Sequence, residues 1–148
     1  MSIQIFTKDE VNSHFPDGFY IDNLVFKIQT TNDLVPRAFS ELEKYDIISD
    51  SKHVERTILY KSESDKNIAI SKFAIFNDVA YLSWIWIAEP LRGYGYGKKL
   101  VKQTIDEIKK GNVSRIYTLP KSKPARNIFN KFNFQDSREI SGWKVKNL

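Results

Sequence analysis

The residue types and spacing best suited to chemistry fall in one stretch, Ile85-Trp86-Ile87-Ala88-Glu89-Pro90-Leu91-Arg92-Gly93-Tyr94-Gly95-Tyr96-Gly97-Lys98-Lys99-Leu100. Three of the chain's six glycines lie within five residues of one another here. An apolar run reads as a strand, the glycines as a turn, and the residues from Tyr96 as the start of a helix. Glycine permits a tight turn and lets a ligand approach the backbone N–H groups closely. The first N–H groups of a helix lack internal partners and point outward with the positive end of the dipole. Strand, glycine turn and helix in that order build a site for a phosphate or pyrophosphate, and Arg92, Lys98 and Lys99 add positive charge around it. The same order also serves as a plain strand-to-helix turn whose glycines supply geometry alone. A dinucleotide fingerprint is excluded, because its third glycine and its acidic residue at the end of a following strand are missing. A P-loop is excluded because no Gly-Lys-Ser/Thr ending has the required spacing.

Other chemistries are bounded by what the 148 residues contain. With no cysteine there is no disulfide, thiolate or Cys-ligated zinc. The two histidines, His14 and His53, are far apart in sequence, which argues against a His-based triad and against any metal site. A composition 41% hydrophobic, 28% charged and 14% aromatic is that of a globular domain rather than a disordered chain. The net charge of +5 favours anionic partners. The basic residues read as scattered, with no stretch interleaving aromatics and cations, so a nucleic-acid platform is disfavoured. The apolar run over residues 79–88 is interrupted by Ser83 and too short for a bilayer. The first ten residues lack a signal-peptide pattern, and the expected location is the cytoplasm.

The elements that must position the glycine turn follow from periodicity. Residues 2–6 read as a strand, and Thr7 with Glu10 as a capping box opening a short helix that ends before Pro16. Residues 21–29 read as one strand. Asn32 or Asp33 caps a helix with Val35, Ala38, Phe39 and Leu42 on one face and Pro36 in its first turn. Residues 57–61 and 68–76 form a hairpin, Asn77-Asp78 a second turn, and residues 79–88 a strand buried on both faces. A helix over residues 96–110 carries the stripe Leu100, Val101, Thr104, Ile105 and Ile108, with Gly111 as its stop. A strand over residues 114–119 follows. Ser122 caps a helix bearing Pro124, Ala125, Ile128, Phe129 and Phe132, and residues 143–146 close the chain as a strand. Strands and helices alternate without a linker or repeat, so the expectation is a single domain over residues 1–148 with a mixed α/β (α+β) fold.

Arg92-x-x-Gly95-x-Gly97, with Gly93 beside it, resembles the acetyl-CoA pyrophosphate loop of the GCN5-related N-acetyltransferases. The stretch from Ala125 to Phe134 is similar to that family's second signature, a helix ending in a Gly-Phe pair, and Trp143-Lys144-Val145-Lys146 looks like its last strand. The resemblance covers about residues 68–148. It implies a mixed, mostly antiparallel central sheet flanked by helices. It also implies an acetyl-CoA-dependent N-acetyltransferase in which an amine attacks the thioester directly.

The resemblance implies a site as well. Backbone groups of Ile85, Trp86 and Ile87 would pair with pantetheine as an added strand pairs with a sheet edge. The N–H groups of Tyr94, Gly95, Tyr96, Gly97 and Lys98 would hold the pyrophosphate while Arg92 and Gly93 shape the loop. Ser122, Asn127 and Phe129 would complete the cofactor contacts. Phe129 stands where many relatives carry a proton-donating Tyr, and Tyr117 is the candidate replacement. Tyr81 aligns with the general-base Glu of histone-type relatives and shares a strand face with Ser83, so either could relay a proton through water. Glu89, at the end of the strand, is a further base candidate, and Glu55 a weaker one that reads as a surface residue. Asn133 replaces the helix-ending glycine and can take the left-handed conformation. Trp84 and Trp86 read as core residues first. The acceptor implied is a small-molecule amine, a protein lysine or a protein N-terminus, with monomer and homodimer both open. The acidic run Glu41, Glu43, Asp46 and Asp50 could receive a cationic amine or simply face solvent. A non-catalytic coenzyme A-binding or protein-interaction module remains the alternative.

Overall fold

The computed structural model describes residues 2–16, 19–21, 24–26, 34–64, 66–88 and 91–148. Strand β1 (Ser2–Thr7) passes directly into helix α1 (Lys8–His14). Thr7 makes the change of direction: its hydroxyl accepts from the Glu10 N–H at 3.1 Å, and the Glu10 carboxylate accepts from the Thr7 N–H at 3.0 Å. Both halves of the expected capping box are present.

The expected strand over residues 21–29 is instead two short strands, β2 (Phe19–Ile21) and β3 (Leu24–Phe26), paired antiparallel in a sheet of their own. Asp22 and Asn23, between the two strands, lie outside the described residues. Asn32 and Asp33, the expected caps of the next helix, also lie outside the described residues. That helix, α2 (Leu34–Lys44), buries Val35, Ala38 and Leu42 and stacks Phe39 on Phe76.

Strands β4 (Val54–Lys61), β5 (Asn67–Phe76) and β6 (Val79–Ile87) form two successive hairpins, β4 starting three residues earlier than expected. Asn77 turns the second hairpin in the left-handed conformation, at φ 55°. Helix α3 (Tyr96–Lys109) crosses over to β7 (Arg115–Thr118), and helix α4 (Lys123–Lys131) leads to β8 (Gln135–Asp136) and β9 (Lys144–Asn147). The two-residue β8 carries no periodicity to be read from sequence. Asn133 ends α4 in the left-handed conformation, at φ 65°, as its residue type allows.

The seven-stranded sheet runs β1-β4-β5-β6-β7-β9-β8. Among the described strands only β6 and β7 pair in parallel, and this mixed sheet flanked by helices is the expected class of fold. Alternation along the strands divides the core. On one face Ala80, Leu82 and Ile116 pack against Leu100, Val101, Ile105 and Ile108 of α3 and Phe129 of α4. On the other, Val79, Tyr81 and Tyr117 pack against Val35, Ala38 and Leu42 of α2. Farther along that second face, Val11 of α1 covers Leu59, Ile70 and Ala88. The buried hydroxyl of Thr104 on α3 is satisfied by the Leu100 carbonyl and by Ser71 of β5, each at 2.7 Å. Among the described residues no helix is long and apolar enough to cross a membrane.

Candidate active site

The sheet opens beside the glycine turn. Strand β6 pairs with β7 only over residues 79–82, the last match being Leu82 with Thr118. Residues 83–87 continue on β5 alone among the described strands. At the point of separation β6 carries a bulge. Lys72 of β5 lies opposite Trp84, Phe73 lies opposite Leu82, and Ser83 is the extra residue between. A bulge bends its strand and increases the local twist, so β6 turns away where β7 ends. Ser83 Oγ donates to the Lys72 carbonyl at 3.0 Å, and Thr118 Oγ1 donates to the Leu82 carbonyl at 2.9 Å, fixing both sides of the split.

The turn after β6 is held back against the strand. Arg92 donates through Nε to the Ile87 carbonyl at 3.0 Å, and its guanidinium carbon lies 5.4 Å from the centre of the Trp86 ring. Gly93 and Gly95 adopt φ of 89° and 85°, a region that costs other L-residues about 1–2 kcal/mol. A Cβ on either would meet no heavy atom within 4 Å. Gly95 is the N-cap of α3 and supplies no side-chain hydrogen bond to it. The first helical bond is Lys99 N–H to Gly95 carbonyl at 3.3 Å, so the N–H groups of Tyr96, Gly97 and Lys98 have no acceptor inside the helix. Open space, uncapped donors and the dipole's positive end fit a pyrophosphate.

Gly97 has a different reason to be glycine than the turn suggests. A Cβ there would lie 2.9 Å from Ile128 Cδ1 and 3.1 Å from Ile87 Cδ1, so its absence lets α3 close on α4 and β6. Tyr94, at the tip of the loop, is 75% exposed.

Helix α4 flanks the split. The Ser122 hydroxyl caps it, accepting from the Ala125 N–H at 3.3 Å, and Asn127 is exposed one turn in. Arg126, which the sequence did not single out as a site residue, reaches the carbonyls of Pro120 and Gly142 at 3.4 and 3.3 Å and fixes the helix to its neighbouring loops. Phe129 is 3% exposed and packs on Phe134 with ring centres 5.0 Å apart.

The proton-transfer candidates are dispersed around this opening. Tyr81 and Tyr117 lie side by side one residue before the split, on the α2 face, opposite Phe129. Tyr81 packs against Trp143 at 5.6 Å between ring centres, and burial pushes its phenol to about 12. Burial also raises the Tyr117 phenol, against the pull of Arg115, which donates to its hydroxyl at 2.9 Å. Both phenols are therefore protonated at neutral pH. Ser83 belongs to the bulge, so the regular pleat that would align it with Tyr81 ends there. Glu89 lies outside the described residues.

Glu55 is not the surface residue expected. It is 5% exposed, with Lys72 Nζ at 3.2 Å from one oxygen and Lys8 Nζ at 3.3 Å from the other. That second oxygen accepts no hydrogen bond, and His53 Nε2 is 3.6 Å away. Burial alone would raise the Glu55 carboxyl, but Lys72 and Lys8 outweigh it and hold the group below its usual range. The acidic run Glu41, Glu43, Asp46 and Asp50 is exposed throughout. Asp46 and Asp50 line a cavity of about 630 Å³ with His53, Phe76 and Asp78. It opens at the β5–β6 turn, the opposite end of β6 from the glycine loop.

A model of the acetyltransferase (GNAT) family matches residues 24–134. No protein of curated function matches the chain in sequence. Solved structures share the architecture. GCN5 from Tetrahymena superposes with a TM-score of 0.61 at 16% identity, over 99% of this chain and 96% of that one. A ribosomal-protein-alanine N-acetyltransferase from Brucella melitensis gives 0.60 at 11% identity, over 100% of each chain. An acetyltransferase of the GNAT family from Staphylococcus aureus Mu50 gives 0.57 at 14%, over 99% of each. Likeness at such identities carries the fold alone, whereas the family model spans most of the sequence, including the glycine loop and α4. The chain belongs to the acetyltransferase (GNAT) family.

Proposed function

We propose that the protein is an acetyl-CoA-dependent N-acetyltransferase whose one domain transfers an acetyl group to a primary amine by direct attack. The observation that carries this reading is the split at Ser83 leading into an uncapped, glycine-built helix start. Acetyl-CoA, when bound, would supply the activated thioester, with the coenzyme A thiol as leaving group. The N–H groups of Tyr96, Gly97 and Lys98 would hold its pyrophosphate, while Arg92 anchors the loop to Ile87. Residues 83–87 run on past the last β6–β7 match; pantetheine would lie along them as an added strand, and a backbone N–H there would polarise the acetyl carbonyl, a role that needs no side chain. Ser122, Asn127 and Phe129 would complete the cofactor contacts from the side of α4.

Tyr81 is a poor base at its raised pKa, so water, or Glu89 at the end of β6, removes the acceptor's proton. Tyr117, which burial keeps protonated, and water in the split are the available proton donors, since Phe129 has no proton to give. The acceptor is a small amine, a lysine side chain or a protein N-terminus. A second reading, a coenzyme A-binding module without turnover, is favoured by Phe129 and by the enclosed phenols alone. Thermal shift with acetyl-CoA, NADH and ATP tests the cofactor. Acetyl-CoA is expected to raise Tm and the other two are not; equal effects of all three would remove the assignment.

A further inference from the structure

Among the described residues one buried side-chain oxygen is left without a hydrogen bond, Glu55 Oε2. The Glu55 side chain is 4% exposed, and its other oxygen holds the Lys72 ammonium at 3.2 Å. A buried carboxylate oxygen without a hydrogen bond carries a desolvation cost that an added donor would relieve. The group nearest to doing so is Lys8, whose ammonium stands 3.3 Å away on a side chain 54% exposed. A pair with so exposed a partner contributes little to stability. Lys8 therefore shows that an ammonium fits against this oxygen, and another ammonium can replace it at small cost.

His53 places a second acceptor at the same point. Its Nδ1 lies 2.8 Å from the Ser51 carbonyl. A carbonyl only accepts, so Nδ1 carries the proton and the neutral ring keeps its lone pair on Nε2. That nitrogen is 3.6 Å from Glu55 Oε2, close enough for one ammonium, with its three N–H groups, to donate to both. The His53 ring also joins Glu55 to open space. It lies 4.9 Å from the Phe76 ring, and both rings line the cavity of about 630 Å³ at the β5–β6 turn.

The cavity lining divides by chemistry. Ile48, Val54 and Phe76 give it apolar surface, whereas Asp46, Asp50 and Asp78 bring three carboxylates against the single ammonium of Lys52. Asp50 gives one oxygen to the Lys52 N–H at 2.9 Å and Asp78 one to the Ser114 hydroxyl at 3.1 Å, so each keeps a second oxygen for a ligand. Among the described residues no group of three His, Asp or Glu side chains is placed to hold a metal ion, which leaves an organic cation. We propose that this cavity is a second small-molecule site and that it takes an aliphatic diamine. One ammonium would sit between Glu55 Oε2 and His53 Nε2 in place of Lys8, the methylenes along Val54 and Phe76, and the other ammonium among the aspartates. The cavity is at the opposite end of β6 from the glycine loop, and the proposal does not depend on the cofactor reading.

Calorimetric titration of the full chain with putrescine, cadaverine and butylamine, in the absence of acetyl-CoA, tests the site in the unaltered protein, Lys8→Ala and His53→Phe. A diamine is expected to bind once per chain, and butylamine, with one ammonium, at least about tenfold more weakly. Lys8→Ala removes the competing ammonium and should tighten diamine binding by about two- to fivefold. His53→Phe keeps a ring against Phe76 but offers no acceptor, and should weaken binding by at least about tenfold. The chain has two histidines, so the ring signals that vanish from the NMR spectrum of His53→Phe belong to His53, and in the unaltered protein they should move as diamine is added. No diamine binding by the folded protein, His53 signals unmoved at saturation, or an affinity that either substitution leaves unchanged would overturn the proposal, and none of these outcomes bears on acetyl-CoA.

Discussion

Gly95→Asp perturbs the glycine loop at its centre, and its two effects can be separated. Gly95 is the N-cap of α3 at φ 85°, and a Cβ there meets nothing within 4 Å. The free protein therefore bears backbone strain but no clash, about 1 kcal/mol for Asp, whose short polar side chain tolerates this region. In a chain of this length that corresponds to a fall in Tm of roughly 2–4 °C. Binding suffers more. A carboxylate about 4 Å from a phosphate oxygen costs about 1 kcal/mol in water-like surroundings and about 4 kcal/mol at an effective dielectric of 20. Affinity for acetyl-CoA should accordingly fall by roughly five- to a thousandfold, and less at high salt because the loop is exposed. Gly95→Asn has the same shape and tolerance of the conformation but no charge, so it should lie much nearer the unaltered protein. Calorimetric titration of the three proteins with acetyl-CoA, with circular dichroism to confirm folding, reads the difference. Undiminished affinity in Gly95→Asp would refute the assignment of this loop to the pyrophosphate.

Gly97→Ala gains about 1 kcal/mol in helix propensity but pushes a methyl group against Ile128 and Ile87, a cost of about 1–3 kcal/mol. Chemical denaturation should show a net loss of roughly 1 kcal/mol, and a more stable variant would contradict the packing argument. Glu55→Gln leaves the buried Lys72 ammonium without its carboxylate and should cost about 3 kcal/mol, whereas replacing both with Met should be close to neutral; a double variant as unstable as the single would refute the pairing. Because the folded Glu55 carboxyl lies below its unfolded value, the unfolded state binds the extra proton as pH falls. The pair therefore stabilises the fold above the ordinary carboxyl range and loses that contribution in acid, so Tm of the unaltered protein should drop more steeply below about pH 4.3 than Tm of the double Met variant. Phe129→Tyr should remain folded and transfer acetyl groups no more slowly; a large loss of activity in thiol-release assays would show that α4 is misaligned with the family's second signature.

The parts legible in sequence were those written in local patterns. The stripe on α3 is buried at all five expected positions, Leu100, Val101, Thr104, Ile105 and Ile108. Thr7 and Glu10, Asn77, Ser122 and Asn133 do locally what their residue types allow. The bulge at Ser83 was not legible, because a serine between Leu82 and Trp84 looks like an ordinary strand residue until β5 supplies its register. Glu55 lies in a polar stretch and reads as exposed; its burial depends on Lys72 from the adjacent strand and Lys8 from α1. Gly97 belonged to a glycine motif, which hid its separate role in helix packing. The basic residues read as scattered because they were counted over the whole chain. Counting them on either side of residue 90 would have shown that they concentrate in the segment that follows it, which includes the glycine loop.

The most direct measurement is calorimetric titration with acetyl-CoA, followed in the same sample by release of free thiol with a library of small amines, lysine peptides and free-N-terminus peptides. Saturable binding at one site per chain, with thiol released by at least one acceptor class, is the predicted result. Absence of any acetyl-CoA binding by the folded protein would contradict the proposed function and leave only the family's fold.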